Sequence, residues 1–256
     1  GRRGRVGRWI HLAFWALITH PLLDLYTTYG TQLFAPFTNA RFALDTVAII
    51  DPFYSLPIFA ALIVGFRASA WPDKASTWAR RALIWGLSYL AFQLLWTRAN
   101  DSVFRERLAA VGFQAETVRT PVPVLWPVIR HAVAHDKEGR IAVSKQILWA
   151  PKRDPILILE PADSPRIRSI LDTPRGRIWS WFADGMVGIR MEDDGTIVLS
   201  DHRYGLYSDK TYSFFRAELP PGAPVDELEM VRPSQSRKKL NLGQEWLNGL
   251  KLMTAD

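Results

Sequence analysis

WIHLAFWALITHPLLDLY, residues 9–26, runs for eighteen residues with one carboxylate near its end, and its reading decides the architecture. A helix that crosses a bilayer needs about 20 mostly apolar residues, with about 17 as a working minimum. By that measure residues 9–26 and 47–66 predict two transmembrane helices, and residues 82–96 predict a shorter third. Trp9, Trp15, Trp71, Trp78, Trp85 and Trp96 fall in this part, several at the ends of apolar runs, where amphipathic rings favour the headgroup level.

Charge divides the chain at the same place. Residues 1–97 hold 9 basic and 4 acidic residues, and residues 98–256 hold 23 and 21, so most of the net charge of +7 belongs to the apolar part. That charge flanks the apolar runs: Arg2, Arg3, Arg5 and Arg8 precede the first, and Arg67, Lys74, Arg80 and Arg81 separate the second from the third. Such placement sets topology and is not the footprint of a nucleic-acid partner; no nucleic acid is expected. The positive-inside rule puts residue 1 and the 67–81 segment in the cytoplasm, and everything after the third helix in the periplasm. The chain opens on Gly1 and not Met, which predicts further sequence upstream.

Beyond Asn100 the texture changes to short β-branched or alternating runs at residues 141–149, 156–160, 177–182, 187–191, 196–200 and 211–217. Pro174-Arg175-Gly176, Asp184-Gly185, Asp194-Gly195 and Tyr204-Gly205 read as turns between them, with a hairpin around Asp193-Asp194-Gly195. The expected fold is therefore α+β, with N-terminal transmembrane helices followed by a mainly antiparallel β-rich extramembrane domain. Its parts are a membrane domain over 1–97, a β-rich domain over 98–219, and a linker and tail over 220–256 with a short helix from Gly243 to Leu252. The absence of cysteine excludes disulfides and thiolate chemistry.

Candidate chemistry concentrates in THPLLDLYTTYGTQLFAPFTNARFALDTVAIIDP, residues 19–52. On a helix His20 and Asp24 lie one turn apart on one face, and an imidazole beside a carboxylate suits a divalent cation such as Zn²⁺ or Mn²⁺. Asp24 can equally be a carboxylate at the membrane interface, where it costs little. Asp51 before Pro52 is the expected N-cap and first-turn pair of a helix, and a capping carboxylate can still face a site as a ligand or base. Thr27, Thr28 and Gly30 form a hydroxyl-rich turn able to offer hydroxyls and amides to a substrate, or a plain loop. Arg41 suits a phosphate or a neighbouring Asp. His131 and His135, also four apart, read as a solvated helix end, and Arg237 to Lys239 as a solvated tail.

The segment THPLLDLYTTYGTQLFAPFTNARFALDTVAIIDPFYSLP resembles the signature of the LexA-regulated inner-membrane metal-dependent hydrolases of bacteria, and PVPVLWPVIR, WFADGM and TIVLSDHRYG resemble that family's later segments. The resemblance implies a multi-pass protein of the bacterial inner membrane. It would make His20 and Asp24 metal ligands and Asp51 a ligand or base; taken with the residues themselves, the expectation is that Asp51 and Arg41 are catalytic and that Thr27, Thr28 and Gly30 bind substrate. It further implies a bound Zn or Mn ion and hydrolysis of a lipid or envelope ester or phosphoester at the bilayer surface. The family's additional Asp- and His-rich upstream segments are not in this sequence, so a complete metal site would draw ligands from outside it. The rival expectation is a noncatalytic envelope membrane protein whose β-rich domain binds a partner.

Overall fold

The computed structural model describes residues 2–67, 72–123, 126–162, 164–207, 209–231 and 241–254. The chain divides into two units, Gly1–Thr97 and Arg98–Asp256.

The first unit is helical. Helix α1 covers Arg2–Asp24, α2 covers Pro52–Phe66, and α3 begins at Pro72 and runs to Ala110, past the unit's boundary. Helix α2 starts where the capping pair predicts: Asp51 has extended backbone and its Oδ1 accepts from the amides of Phe53 and Tyr54. That start removes residues 47–51 from the second apolar run, leaving a helix of 15 residues. At 1.5 Å per residue it spans about 22 Å, short of the roughly 30 Å hydrocarbon core. Helix α1 is long enough, but its first two turns carry four arginines and its last turn holds His20 and Asp24. Helix α3 has charge at both ends of a central apolar stretch that itself includes Ser88 and Gln93. Among the described residues no helix is long and apolar enough to cross a membrane. The expectation of transmembrane helices is therefore corrected, and with it the multi-pass arrangement and the sidedness read from it. Apolar runs and helices overlap here without coinciding.

The second unit holds two antiparallel sheets. The first orders β1 (Thr117–Arg119), β2 (Ile129–His135), β3 (Ile141–Ile147) and β4 (Leu157–Leu159) in sequence, and the second orders β5 (Val187–Met191), β6 (Ile197–Asp201), β7 (Arg216–Leu219) and β8 (Glu229–Val231). The hairpin at 191–197 forms around Gly195, whose φ of +84° is the left-handed conformation that glycine adopts without strain. The end of α3 covers one face of the first sheet, with Phe104 and Leu108 packed on Ala132, Ala134 and Ala142. Val133 and Val143, on the other face, meet Met186. The second sheet is covered by α4 (Pro165–Asp172) and α5 (Pro174–Phe182), with Ile170 and Trp179 against Leu199 and Leu219.

Three local expectations are corrected. Residues 177–182 are helical, because Thr173-Pro174 is a cap: the Thr173 hydroxyl accepts from the Gly176 amide and Pro174 fills a position needing no amide. His131 and His135 lie on β2, since a spacing of four keeps one face of a strand as well as of a helix. Part of the expected 220–256 linker and tail is β8, paired to β7. Helix α6 covers Leu242–Thr254, and the Arg237 to Lys239 run lies outside the described residues.

Candidate functional site

Helix α1 ends with the two residues the sequence singles out. His20 Nε2 stands 3.4 Å from Asp24 Oδ2, one turn along, with side chains 78% and 52% exposed. The chain then turns: the Thr27 hydroxyl and amide both donate to the Asp24 carbonyl. Thr31 and Phe42 exchange two backbone hydrogen bonds and close the intervening loop. Gly30 faces Arg41 so closely that a Cβ would lie 3.1 Å from its Nε, and at φ +89° a side chain would be strained as well. Arg41 donates to the Tyr29 carbonyl and lies over the Tyr29 ring at 5.2 Å. The Gly30 and Arg41 pair thus builds the loop. Thr28 is buried, and the Thr46 hydroxyl ties the returning strand to the Tyr26 carbonyl at 2.8 Å.

Asp51 has a different task. Oδ1 caps α2, and Oδ2 accepts from the Tyr89 hydroxyl of α3 at 2.7 Å, which in turn accepts from Gln93 Nε2 at 2.7 Å. Trp85, stacked on Tyr89, donates to the Phe53 carbonyl. This buried carboxylate fastens the start of α2 to the middle of α3. Both its oxygens are occupied, and no contact joins it to His20 or Asp24.

A divalent ion needs three or more protein donors to be held in a catalytic geometry. Among the described residues no group of three or more His, Asp or Glu side chains is disposed to hold one. His20 and Asp24 offer two donors, largely hydrated. Among the described residues the donors beside His20 and Asp24 fall short of the number that a bound Zn or Mn ion needs.

A buried polar cluster lies in the second unit. His131 and Lys145, facing residues on paired strands β2 and β3, are both almost fully buried. Lys145 Nζ donates to His131 Nδ1 at 2.5 Å, and His131 Nε2 is 2.6 Å from the His202 carbonyl, which can only accept; the imidazole proton is therefore on Nε2. Burial lowers the Lys145 pKa to about 7, and burial with the Lys145 charge holds His131 well below its ordinary value. Lys145 also lies over the Tyr207 ring at 5.0 Å, and α6 reaches the cluster through Glu245, which accepts from the Tyr207 amide. His131 occupies space that Gly205 leaves open, since a Cβ there would come within 2.3 Å of its ring.

His202 follows β6 on a single 3₁₀ turn fixed by Asp201, whose Oδ1 accepts from the Arg203 amide and Nε. Its ring rests on Gly188, where a Cβ would come within 2.2 Å of Nε2. Burial, and then the nearby Arg190 charge, lowers its pKa to about 4, so the imidazole is neutral at physiological pH. Sequence reading missed this cluster because its members are far apart in the chain. The signal available was local: Asp201-His202-Arg203-Tyr204-Gly205 places a histidine on a tight turn directly after a strand.

Residues 2–100 match the family model of the YdjM inner membrane protein. No curated protein and no solved structure matches the chain.

Proposed function

We propose that this is a membrane-associated protein whose helical unit is held at the lipid surface without crossing it and whose β-rich unit is a noncatalytic binding module. The observation that carries the first half is the outward apolar surface of the helices. Leu17 of α1, Phe66 of α2 and Leu95 of α3 are 75%, 88% and 72% exposed, and Trp9, Ile10, Phe59 and Leu87 are among many others that face outward. Isolated exposed apolar side chains are ordinary, but a large contiguous apolar surface marks an interaction site. Apolar surface of this kind is buried on contact with lipid, with strength that scales with the apolar area. The match of residues 2–100 to an inner membrane protein family supports lipid as the partner.

What supports the second half is the cluster of buried polar groups, His131 and Lys145 among them, held on the paired strands of the β-rich unit. Flotation of the full chain with phospholipid vesicles tests the membrane reading. The chain is expected to float, and to do so far less as Leu17→Lys, Phe59→Lys, Leu95→Lys. A chain that stays at the bottom of the gradient, or a triple variant that floats as well as the wild type, overturns it.

A further inference from the structure

The loop that Thr31 and Phe42 close carries two aromatic rings outward: Phe37 is 93% exposed and Phe34 57%. One exposed apolar side chain is ordinary, but these two share a single tip. The sequence around them, LYTTYGTQLFAPFTNA over residues 25–40, has no charged residue between Asp24 and Arg41. An apolar medium therefore imposes no cost of burying a charge on this tip.

A loop can leave water only if its backbone groups are satisfied within it. Here the tip folds on itself. The Ala35 amide donates to the Gln32 carbonyl at 3.2 Å, the Phe37 and Thr38 amides to the Phe34 carbonyl at 2.9 and 3.3 Å, and the Ala40 amide to the Thr38 hydroxyl at 3.1 Å. Phe34 is braced edge-on against Phe42, with ring centroids 5.6 Å apart. The tip is preformed, so little ordering has to accompany its burial.

We propose that the Thr31–Phe42 loop is an insertion tip that places Phe37, and Phe34 behind it, in the acyl boundary of a phospholipid bilayer. Lipid is the occupant because the loop follows directly on α1, in the unit whose helices turn Leu17, Phe66 and Leu95 outward, and because residues 2–100 match an inner membrane protein family. An uncharged tip also gives a polar partner no ion pair to make. Tyr29 and Arg41, stacked at the base of the loop, are the amphipathic groups that favour the headgroup level, which sets the tip in the hydrocarbon beyond them. The proposal rests on the membrane reading and names the residues that enter the lipid.

The chain has no cysteine, so Phe37→Cys carries a single environment-sensitive NBD label at the tip, and Lys137→Cys, exposed on the β2–β3 turn, carries the same label as a control. With vesicles of phosphatidylethanolamine and phosphatidylglycerol, the label at 37 is expected to brighten, shift to the blue and be quenched by nitroxide on the lipid acyl chains, while the label at 137 is unchanged. Phe37→Ala, unlabelled, is expected to bind these vesicles about tenfold more weakly, and Phe37→Leu to recover most of that loss. A chain that floats with vesicles while the label at 37 stays in water, or a Phe37→Ala variant that binds as tightly as the wild type, overturns the insertion and leaves the membrane reading standing. A chain that does not float overturns both. A label at 37 that responds to protein concentration and not to vesicles means that a second copy covers the tip, and it overturns the proposal too.

Discussion

Replacing Lys145 with Met tests the buried cluster through the pH dependence of stability. The folded chain releases the Lys145 proton near pH 7, against an ordinary value of 10.5 in the unfolded chain. Between those values the unfolded chain binds a proton that the folded chain lacks, so raising the pH favours the folded state. One pKa unit is worth about 1.4 kcal/mol. Because Lys145 is half-titrated at the start of the interval, the gain from pH 7 to pH 9 comes to about 2 kcal/mol. The window closes near pH 10, where the unfolded chain ionises its tyrosines while burial keeps Tyr207 neutral, so stability falls again. Lys145→Met leaves His131 Nδ1 without its donor, but it also removes the titrating amine and so flattens the slope. The cysteine-free chain allows a local probe: a single thiol at Ala134→Cys, buried in β2, reports unfolding of the β-rich unit by pulsed thiol labelling across a urea gradient. Wild-type protection is expected to move to higher urea between pH 7 and pH 9 while the Met variant stays level. A wild-type midpoint that is flat or falling, or a Met variant that rises in parallel, refutes the assignment of a displaced proton affinity to Lys145.

Asp51→Ala removes a helix cap and the acceptor of the Tyr89 hydroxyl, and should destabilise the helical unit by about 2–3 kcal/mol. Tyr89→Phe alone should cost about 1–2 kcal/mol, and the double variant less than the sum, as measured by denaturant unfolding of all three. Gly176→Ala would place a Cβ 2.0 Å from the Ile170 carbonyl oxygen, a backbone atom, so loss of the packing of Trp179 on the second sheet is expected and its near-ultraviolet circular dichroism should report it. His20→Ala and Asp24→Ala should leave the Zn and Mn content of the purified chain, read by elemental analysis, unchanged. Loss of a stoichiometric ion in either variant would show that the exposed pair holds metal.

Local chemistry was legible in the sequence, and partnerships across long separations were not. Asp51-Pro52 announces a helix start, and the structure caps α2 there. Thr173-Pro174 carries the same information, but Arg177 to Phe182, rich in aromatics and Ile, looks like a strand when read for side-chain type alone. The turn at Asp194-Gly195 was readable because it needs only a glycine in the left-handed region between two alternating runs. The apolar runs located the helices of the first unit without giving their extents, since helix ends follow caps and prolines while runs follow hydropathy. The adjacency of His20 and Asp24 follows from helical spacing. What Asp51 does depends on Tyr89, 38 residues further along, and no pattern near Asp51 points to it. The His131, Lys145 and His202 cluster is formed the same way, by strand pairing and by the meeting of two sheets.

Two of the histidine rings described above lie in space that a distant glycine vacates, His131 against Gly205 and His202 against Gly188. This ties the positions together in the order in which they can change. A side chain introduced first at Gly188 or Gly205 collides with a ring that has no room to retreat, whereas a histidine replaced first by a small residue opens the space for the glycine to be replaced afterwards. Descent along this lineage should therefore show the two pairs changing together, ring before glycine, and a homologue with a bulkier residue at either glycine should have already given up the histidine facing it.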